Sequence, residues 1–217
     1  MSWSSGKDSA WALHVLRSDP AVEVAGLVTT VNAAFDRVAM HGVRREILER
    51  QALETGLPLH VIDLPWPCSN ADYERLMGGF VGAQVGAGIE AMAFGDLYLE
   101  DVRRYREERL AGTGIRPLFP LWGRPTGALA EEMIDAGVVT HLATIDPRKI
   151  PKSLAGRRFD RALLADLPEG VDPCGENGEF HTCVSAGPMF KAAIPIVAGE
   201  VVERDGFVFA DFAIKGA

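Results

Sequence analysis

The chain has 217 residues, 47% hydrophobic and 24% charged, enough for a sizeable core in one large domain or two small ones and too apolar for a disordered chain. Its net charge of -8, with no window collecting five or six basic residues, leaves a nonspecific grip on nucleic acid without electrostatic support and obliges any nucleotide site to create its own local positive potential. Three cysteines, Cys68, Cys174 and Cys183, without CxxC spacing suit a reducing compartment. With no signal peptide and no apolar run near the ~20 residues of a membrane span, the expected location is the cytoplasm and no membrane partner is expected.

The chain opens on a turn of small residues, Ser4-Ser5-Gly6-Lys7-Asp8-Ser9, followed by an apolar-rich helix start over 10–17. Residues 22–31, rich in β-branched side chains, read as a buried strand. Helical spacing follows over 43–54, with Gly56 at the stop, and then a strand over 57–64. Ser69 or Asn70 can cap a helix through about 85, and a strand over 89–94 ends at Gly95-Asp96, the kind of strand end at which such sheets bind ligands. A charged helix is expected over 99–110. Residues 112–125, with three prolines and three glycines, read as a linker, which places a soft boundary between domains at 1–112 and 113–217. Thr126 can cap a helix to 136, a strand follows near 138–145, and two strand-like runs, 194–202 and 207–214, flank the hairpin signal Glu203-Arg204-Asp205-Gly206. Extended and helical segments alternating through the first two thirds predict an α/β fold with a parallel sheet.

The opening turn has the make-up of a phosphate site. Only three residues precede it, so the geometry expected is a very short first strand, a tight turn and a helix whose free amides face an anion; a translation start upstream of Met1 is part of that expectation. Gly6 lets the chain approach a phosphate closely. Ser4, Ser5 and Ser9 supply hydroxyl donors, Lys7 a point charge, and Asp8 a helix cap or a ligand for Mg²⁺. Asp8 after the lysine, where Ser or Thr should stand, sets the turn apart from a Walker A loop.

This turn resembles the Ser-Gly-Gly-x-Asp-Ser fingerprint of the PP-loop ATP pyrophosphatases, with Ser5 in place of the first glycine; a serine fits there if its φ is negative. Three further stretches, Met40-His41-Gly42-Val43-Arg44, Ala93-Phe94-Gly95-Asp96 with Leu99 to Tyr105, and Val171 to Thr182, are similar to the branch typified by diphthine-ammonia ligase. The resemblance implies an adenine-nucleotide α-hydrolase-like (Rossmann-like) domain followed by a smaller α+β domain. It also implies cleavage of ATP to AMP and pyrophosphate, so that an adenylated acyl group is attacked by ammonia or an amine. On that reading Lys7 and Asp8 are catalytic, with Asp8 on Mg²⁺. Ser4 to Ser9, Thr29, Thr30, Gly95 and Asp96 hold ATP. Glu176, Asn177, Gly178, Glu179, His181 and Thr182, together with Arg103 and Arg104, meet the second substrate. Glu176 and Glu179 bracket two turn-prone residues and can present two carboxylates and the amides of Asn177 and Gly178 to one ligand. Diphthamide enzymes tend to carry Glu-Gly-Gly-Glu and then Glu-Thr, whereas this chain has Glu176-Asn177-Gly178-Glu179 and His181-Thr182. The missing carboxylate faces a cationic substrate, so the acceptor stays open.

Other signals have blander readings. Gly86-Ala87-Gly88 in a GxGxxA pattern follows a helix instead of opening one, and so reads as a helix end. Cys174, His181 and Cys183 lack the spacing of a zinc site. Arg103-Arg104 also fits the solvated face of a helix. Two alternatives to the ligase remain: a nucleotide sensor without turnover, which has no need of Glu176 and Glu179, and a tRNA-modifying PP-loop enzyme, which should show basic surface or paired cysteines. The oligomeric state is open, a homodimer included.

Overall fold

The computed structural model describes residues 1–216. Gly6 caps α1 (Lys7–Arg17) in an extended conformation, and the helix is buried almost all round, from Ala10, Trp11 and Leu13 to Leu16. β1 (Leu27–Asn32) is nearly continuously buried, as a parallel strand covered on both faces should be. It is shorter than its β-branched run: Asp19 accepts from the amides of Ala21 (2.9 Å) and Val22 (3.1 Å), so turn chemistry overrides β-propensity at the start of the run, and pairing with a neighbouring strand begins only at Leu27. Residues 33–36 return the chain into β2 (Arg37–Val38), antiparallel to β1.

α2 (Arg45–Thr55) stops at Gly56, in the left-handed region at φ 72°. β3 (Leu59–Leu64) then pairs parallel with β1 in register from Leu27↔Leu59 to Asn32↔Leu64. Ser69 caps α3 (Asn70–Gly86), its hydroxyl accepting from the Asp72 amide. β4 (Ala91–Ala93), α4 (Glu100–Leu110) and β5 (Arg116–Leu118) complete this half. β5 pairs parallel with β4, so the stretch read as a linker carries a strand of the first layer.

The short first strand is the segment Met1 to Trp3. The Ser2 amide donates to Ala93 O (2.8 Å), while Trp3 donates to Val28 O and Val28 to Met1 O. These bonds wedge the segment between β4 and β1, giving the spatial order β3, β1, residues 1–3, β4, β5. The phosphate turn therefore leaves the middle of the layer.

The second half is an antiparallel sheet in the order β7-β6-β9-β8, built from β6 (Val139–Ile145), β7 (Phe180–Ala186), β8 (Ile196–Arg204) and β9 (Phe207–Ile214). α5 (Thr126–Asp135) precedes it and α6 (Arg161–Asp166) lies between β6 and β7. Thr126 is the first helical residue of α5, after Pro125, and its side chain does not cap it. The β8–β9 turn places Asp205 (φ 51°) and Gly206 (φ 81°) in the positive-φ pair that matches strand twist.

Both halves share one apolar core, in which Trp3, Leu13, Ile47 and Leu97 pack with Leu142, Phe159, Phe180 and Val184. A smaller cluster of Val28, Val81, Met92, Phe94 and Leu110 lies beneath α3 and α4. Polar ties cross between the halves. The buried Gln51 amide donates to Ser5 O and Val184 O (3.2 and 2.7 Å) and accepts from the Trp3 indole (3.0 Å). Asp211 on β9 receives Arg37 and Arg44; burial alone would raise its pKa, and the two guanidiniums hold it down at about 2. Among the described residues no helix is long and apolar enough to cross a membrane.

Candidate active site

The phosphate turn is held from behind. Ser5 O accepts from the Val184 amide (3.0 Å) as well as from Gln51, and to do so Ser5 adopts φ 67°. That corrects the expectation of a negative φ: the backbone here has the conformation that a glycine takes without cost, and the serine is held in it by its neighbours. Its hydroxyl is buried without a partner. Ser5→Gly relieves about 1–2 kcal/mol of left-handed strain and frees an orphaned donor, against roughly 0.5–1 kcal/mol of glycine entropy. Urea unfolding should show the variant about 1 kcal/mol more stable; a loss of stability would contradict this account.

A cavity of about 530 Å³ opens at the strand ends above this turn, lined by Ser4, Asp8 and Ser9 of the first turn, Thr29 and Thr30 of β1, Gly95 and Asp96 after β4, and Glu176 and His181. The volume falls in the range of small-molecule sites. The Lys7 amide is taken by Thr182 Oγ1 (3.0 Å), and the internal ladder of α1 begins with Ala10 donating to Gly6 O. The amides of Asp8 and Ser9 precede that ladder. Gly95 lies directly on them: a Cβ at 95 would stand 2.9 Å from Ser9 N and from the Asp8 carbonyl carbon. At Gly6 a Cβ would come 2.7 Å from the His41 ring. Both glycines are required by close approach.

Lys7 does not reach the cavity. Its ammonium turns inward to Asp8 Oδ2 (2.9 Å) and the Cys174 carbonyl, over the rings of Phe159 and Phe180. Burial opposes that charge, but Asp8, Cys174 and Glu176 outweigh it and its pKa is raised. The reason for the orientation is positional: as the first helical residue after Gly6, Lys7 faces the second half of the protein, whose backbone supplies an acceptor. Asp8 does not cap α1 by its side chain. Burial raises its pKa, with Lys7 acting against and Asp172 with that shift. Its Oδ1 is buried without a partner, as is Thr29 Oγ1.

The loop between Asp172 and Phe180 organises itself. Asp172 Oδ2 accepts from the amides of Cys174 (3.1 Å) and Glu176 (2.9 Å), and the Gly178 amide donates to Gly175 O (3.0 Å). Glu176 and Glu179 do not converge on one ligand. Glu179 folds back, its Oε1 accepting from the Asp172 amide and the Asn177 side chain, with Oε2 buried and unpartnered. Asn177 is exposed and its carbonyl receives Lys149. The Gly178 amide is thus spent inside the turn, and the structure brings only Glu176 of this set, with His181, to the cavity wall.

Glu176 accepts from the amides of Leu97 (2.7 Å) and Tyr98. Burial, with Asp8 and Asp96 nearby, pushes its pKa from 4.5 to about 7 against those two hydrogen bonds. Folding therefore favours the protonated form, and the stability this contributes is full below about pH 4.5 and is lost as pH rises through 7. Glu176→Gln keeps an acceptor oxygen but cannot ionise. After discounting for partial exposure, it should be about 1–2 kcal/mol more stable than the parent at pH 8 and nearly equal at pH 5. Equal stabilities at both pH values would remove the strain assigned to this carboxylate.

Arg103 and Arg104 lie off the cavity: Arg103 pairs with Glu107 and stacks on Phe119 and Trp122, and Arg104 is exposed. One helical turn on, Arg106 lines the cavity, pairs with Asp96 and sits over Phe94. His41 stood in the sequence within the family-like stretch Met40 to Arg44 and without a role of its own, and it too lies on the wall. Cys68, Cys174 and Cys183 are free thiols, and among the described residues no cluster of three or more His, Cys, Asp or Glu could hold a metal by itself.

A parallel α/β layer with an anion-ready helix N-terminus in a cleft at its strand ends defines a nucleotide-binding enzyme fold. Residues 1–117 match the model of the diphthamide synthase N-terminal domain and residues 125–212 that of its C-terminal domain. The chain belongs to the diphthamide synthase family. It is 29% identical to a diphthine–ammonia ligase of Danio rerio over 95% of this chain and 89% of that protein. It is 30% identical to the proteins of that name from Bos taurus and Homo sapiens over 58% of this chain, a match spanning about half (49%) of each of them. At the level of the family, the function is that of an ATP-dependent ligase.

Proposed function

We propose that the protein cleaves ATP to AMP and pyrophosphate in this cavity, activating an acyl group for attack by ammonia or another amine; the name of its relatives, diphthine–ammonia ligase, supports ammonia as the amine. The observation that carries the reading is the pair of buried, unpartnered polar atoms, Asp8 Oδ1 and Thr29 Oγ1, on residues that line one cleft with the N-terminal turn of α1. Most buried polar atoms have a partner, and where one that lines a cleft has none, a bound ligand, ion or water is the ordinary way it is satisfied. The Asp8 and Ser9 amides hold the phosphates, with the Ser4 hydroxyl turning to them from Ser9 Oγ while the Ser9 hydroxyl stays on Gly6 O; Gly95 packs against the Asp8–Ser9 peptide, and Thr29 and Thr30 border the adenosine. Asp8 fits Mg²⁺, which characteristically takes one or two protein carboxylates and completes its shell with phosphate oxygens and water. Bound there, the ion supplies positive charge to the departing pyrophosphate. The contribution of the protein is alignment, water exclusion and preorganised amides. Lys7 positions Asp8 and the Cys174 carbonyl.

Diphthine is one candidate acceptor; His181, in the cavity without a negative charge, favours an acceptor less cationic than diphthine. The cytoplasm, with its ATP and reduced thiols, is the setting proposed. The test is incubation with ATP and Mg²⁺, with and without ammonium, and with diphthine-bearing protein or a panel of carboxylates, followed by nucleotide analysis. AMP and pyrophosphate stimulated by an acceptor are expected. ADP alone, or ATP bound and never cleaved, would replace the ligase with a phosphatase or a sensor.

A further inference from the structure

At the phosphate-turn end of the cavity two imidazoles stand together, His41 and His181, with ring centroids 4.6 Å apart. His41 is fixed on several sides. Its Nδ1 lies 3.2 Å from the Thr182 carbonyl, which can only accept, so Nδ1 carries the hydrogen and Nε2 is left free. Its own carbonyl accepts from Thr144 Oγ1 (3.0 Å), and its ring edge rests on Gly6. The residues on either side, Met40 (φ 64°) and Gly42 (φ 67°), are both in the left-handed region, a conformation that costs energy at Met40 and persists because the surroundings hold it. Among the described residues, His181 makes no ring hydrogen bond, and its ring is half-buried on the cavity wall.

The charges around the cleft leave room for a further cationic element. Asp8, Asp96 and Glu176 line it, whereas the one Lys or Arg lining it among the described residues is Arg106, already paired with Asp96. Lys7 is turned away into the core. Asp8 is paired with Lys7 and Asp96 with Arg106, and the pKa of Glu176 is held near 7, so the cleft offers a triphosphate no unpaired Lys or Arg among the described residues, and helix amides supply only part of the charge it needs.

We propose that His41 and His181 form a second anion-binding element, contacting the β- and γ-phosphates, and that one proton is taken up from solvent onto the pair as the nucleotide binds; this rests on the ATP reading above. In the free protein both rings are held neutral at pH 7. Burial is the main cause for each, with the neighbouring Lys7 charge adding to it and His181 adding to the effect on His41; His181 is brought down to about 4. A polyanion reverses the sign of the local potential. Protonated His41 then donates Nε2–H to a phosphate oxygen while Nδ1–H stays on Thr182, and no bond of the nucleotide changes. Lys7 of α1 is the other titratable group that acts on the pair; Asp8, Asp96 and Glu176 line the same cleft, and Glu176 has its own titration near 7.

The experiment is calorimetry of the β,γ-imido analogue of ATP with Mg²⁺, at pH 6 and 8, in two buffers of different ionisation heat. Wild type is compared with His41→Gln, His181→Gln, the double variant and Glu176→Gln. Inorganic pyrophosphate and adenosine serve as part-ligands. Wild type should bind the analogue and pyrophosphate at least about fivefold more tightly at pH 6 than at pH 8, with uptake of up to one proton beyond that of the free ligand; adenosine should show no such dependence. The double variant should lose most of it, and Glu176→Gln should retain it. In ¹⁵N-histidine spectra of the unmutated protein, Nε2 of one of the two rings should become protonated at pH 7 on adding the analogue, a readout that needs no variant. Unchanged pH dependence in a folded double variant, or imidazole signals indifferent to the analogue, overturns the proposal while leaving ATP binding intact. Absence of analogue binding at either pH overturns the nucleotide reading itself, and the pair's role with it.

Discussion

Gly95→Ala is expected to lower AMP formation at least ~100-fold. The added methyl would have to occupy space 2.9–3.0 Å from three backbone atoms of Asp8 and Ser9, a contact that no rotamer change can relieve because none of those atoms belongs to a side chain. The β4–α4 loop must lift off α1, or the first turn of α1 must tilt, and a displacement of about 1 Å at a reacting centre is enough for a hundredfold loss. A matched control is Gly127→Ala, in the first turn of α5, where a Cβ meets nothing within 4 Å. That variant should keep the parental rate and gain slightly in helix propensity. A Gly95→Ala enzyme with normal kcat would mean that the loop and the phosphate turn are not in contact during the reaction.

The largest effect on stability is expected from Lys7→Ala, about 3–5 kcal/mol. The ammonium is almost wholly enclosed and serves Asp8 and the Cys174 carbonyl at once. Removing one member of a buried pair leaves the other charged and unsolvated. The pH dependence follows from Asp8, whose pKa is already raised by burial and is lowered by Lys7. Without the lysine it rises further, so protonating Asp8 partly relieves the defect, and the loss should be greater at pH 8 than at pH 5. A Lys7→Met, Asp8→Asn double variant, which removes both charges and keeps the apolar stem, should recover more than half of the loss. Urea unfolding at the two pH values checks this. A cost below about 1 kcal/mol would show that the side chain leaves the core and faces solvent.

Much of the fold was legible because its signals are local. Gly56 at the end of α2, Ser69 before α3 and Asp205-Gly206 between β8 and β9 each behave as their conformational preferences dictate. β2 and β5, two and three residues long, are too short for any periodicity, and β5 carries a proline, which read as a linker. The site was legible as a set of segments but not as directions. Ser4, Asp8 and Ser9 of the serine turn, Thr29, Thr30, Gly95, Asp96, Glu176 and His181 do line one cleft, whereas Ser5, Gly6 and Lys7 do not. Which way a side chain leaves a helix start or a tight turn is decided by partners distant in the chain, 167 residues away for Lys7 and 141 for His41. The same holds on α4, where a three-residue error separates Arg103, stacked on Trp122, from Arg106 in the cleft.

The buried amide of Gln51 reaches Trp3, Ser5 O and Val184 O together. Cutting the polypeptide between β5 and α5 would strand this carboxamide's two donors without one of their acceptors and strip the phosphate turn of its rear support. Neither piece expressed alone should be a folded, nucleotide-competent unit, so any split version of this protein has to be reassembled before it can be assayed.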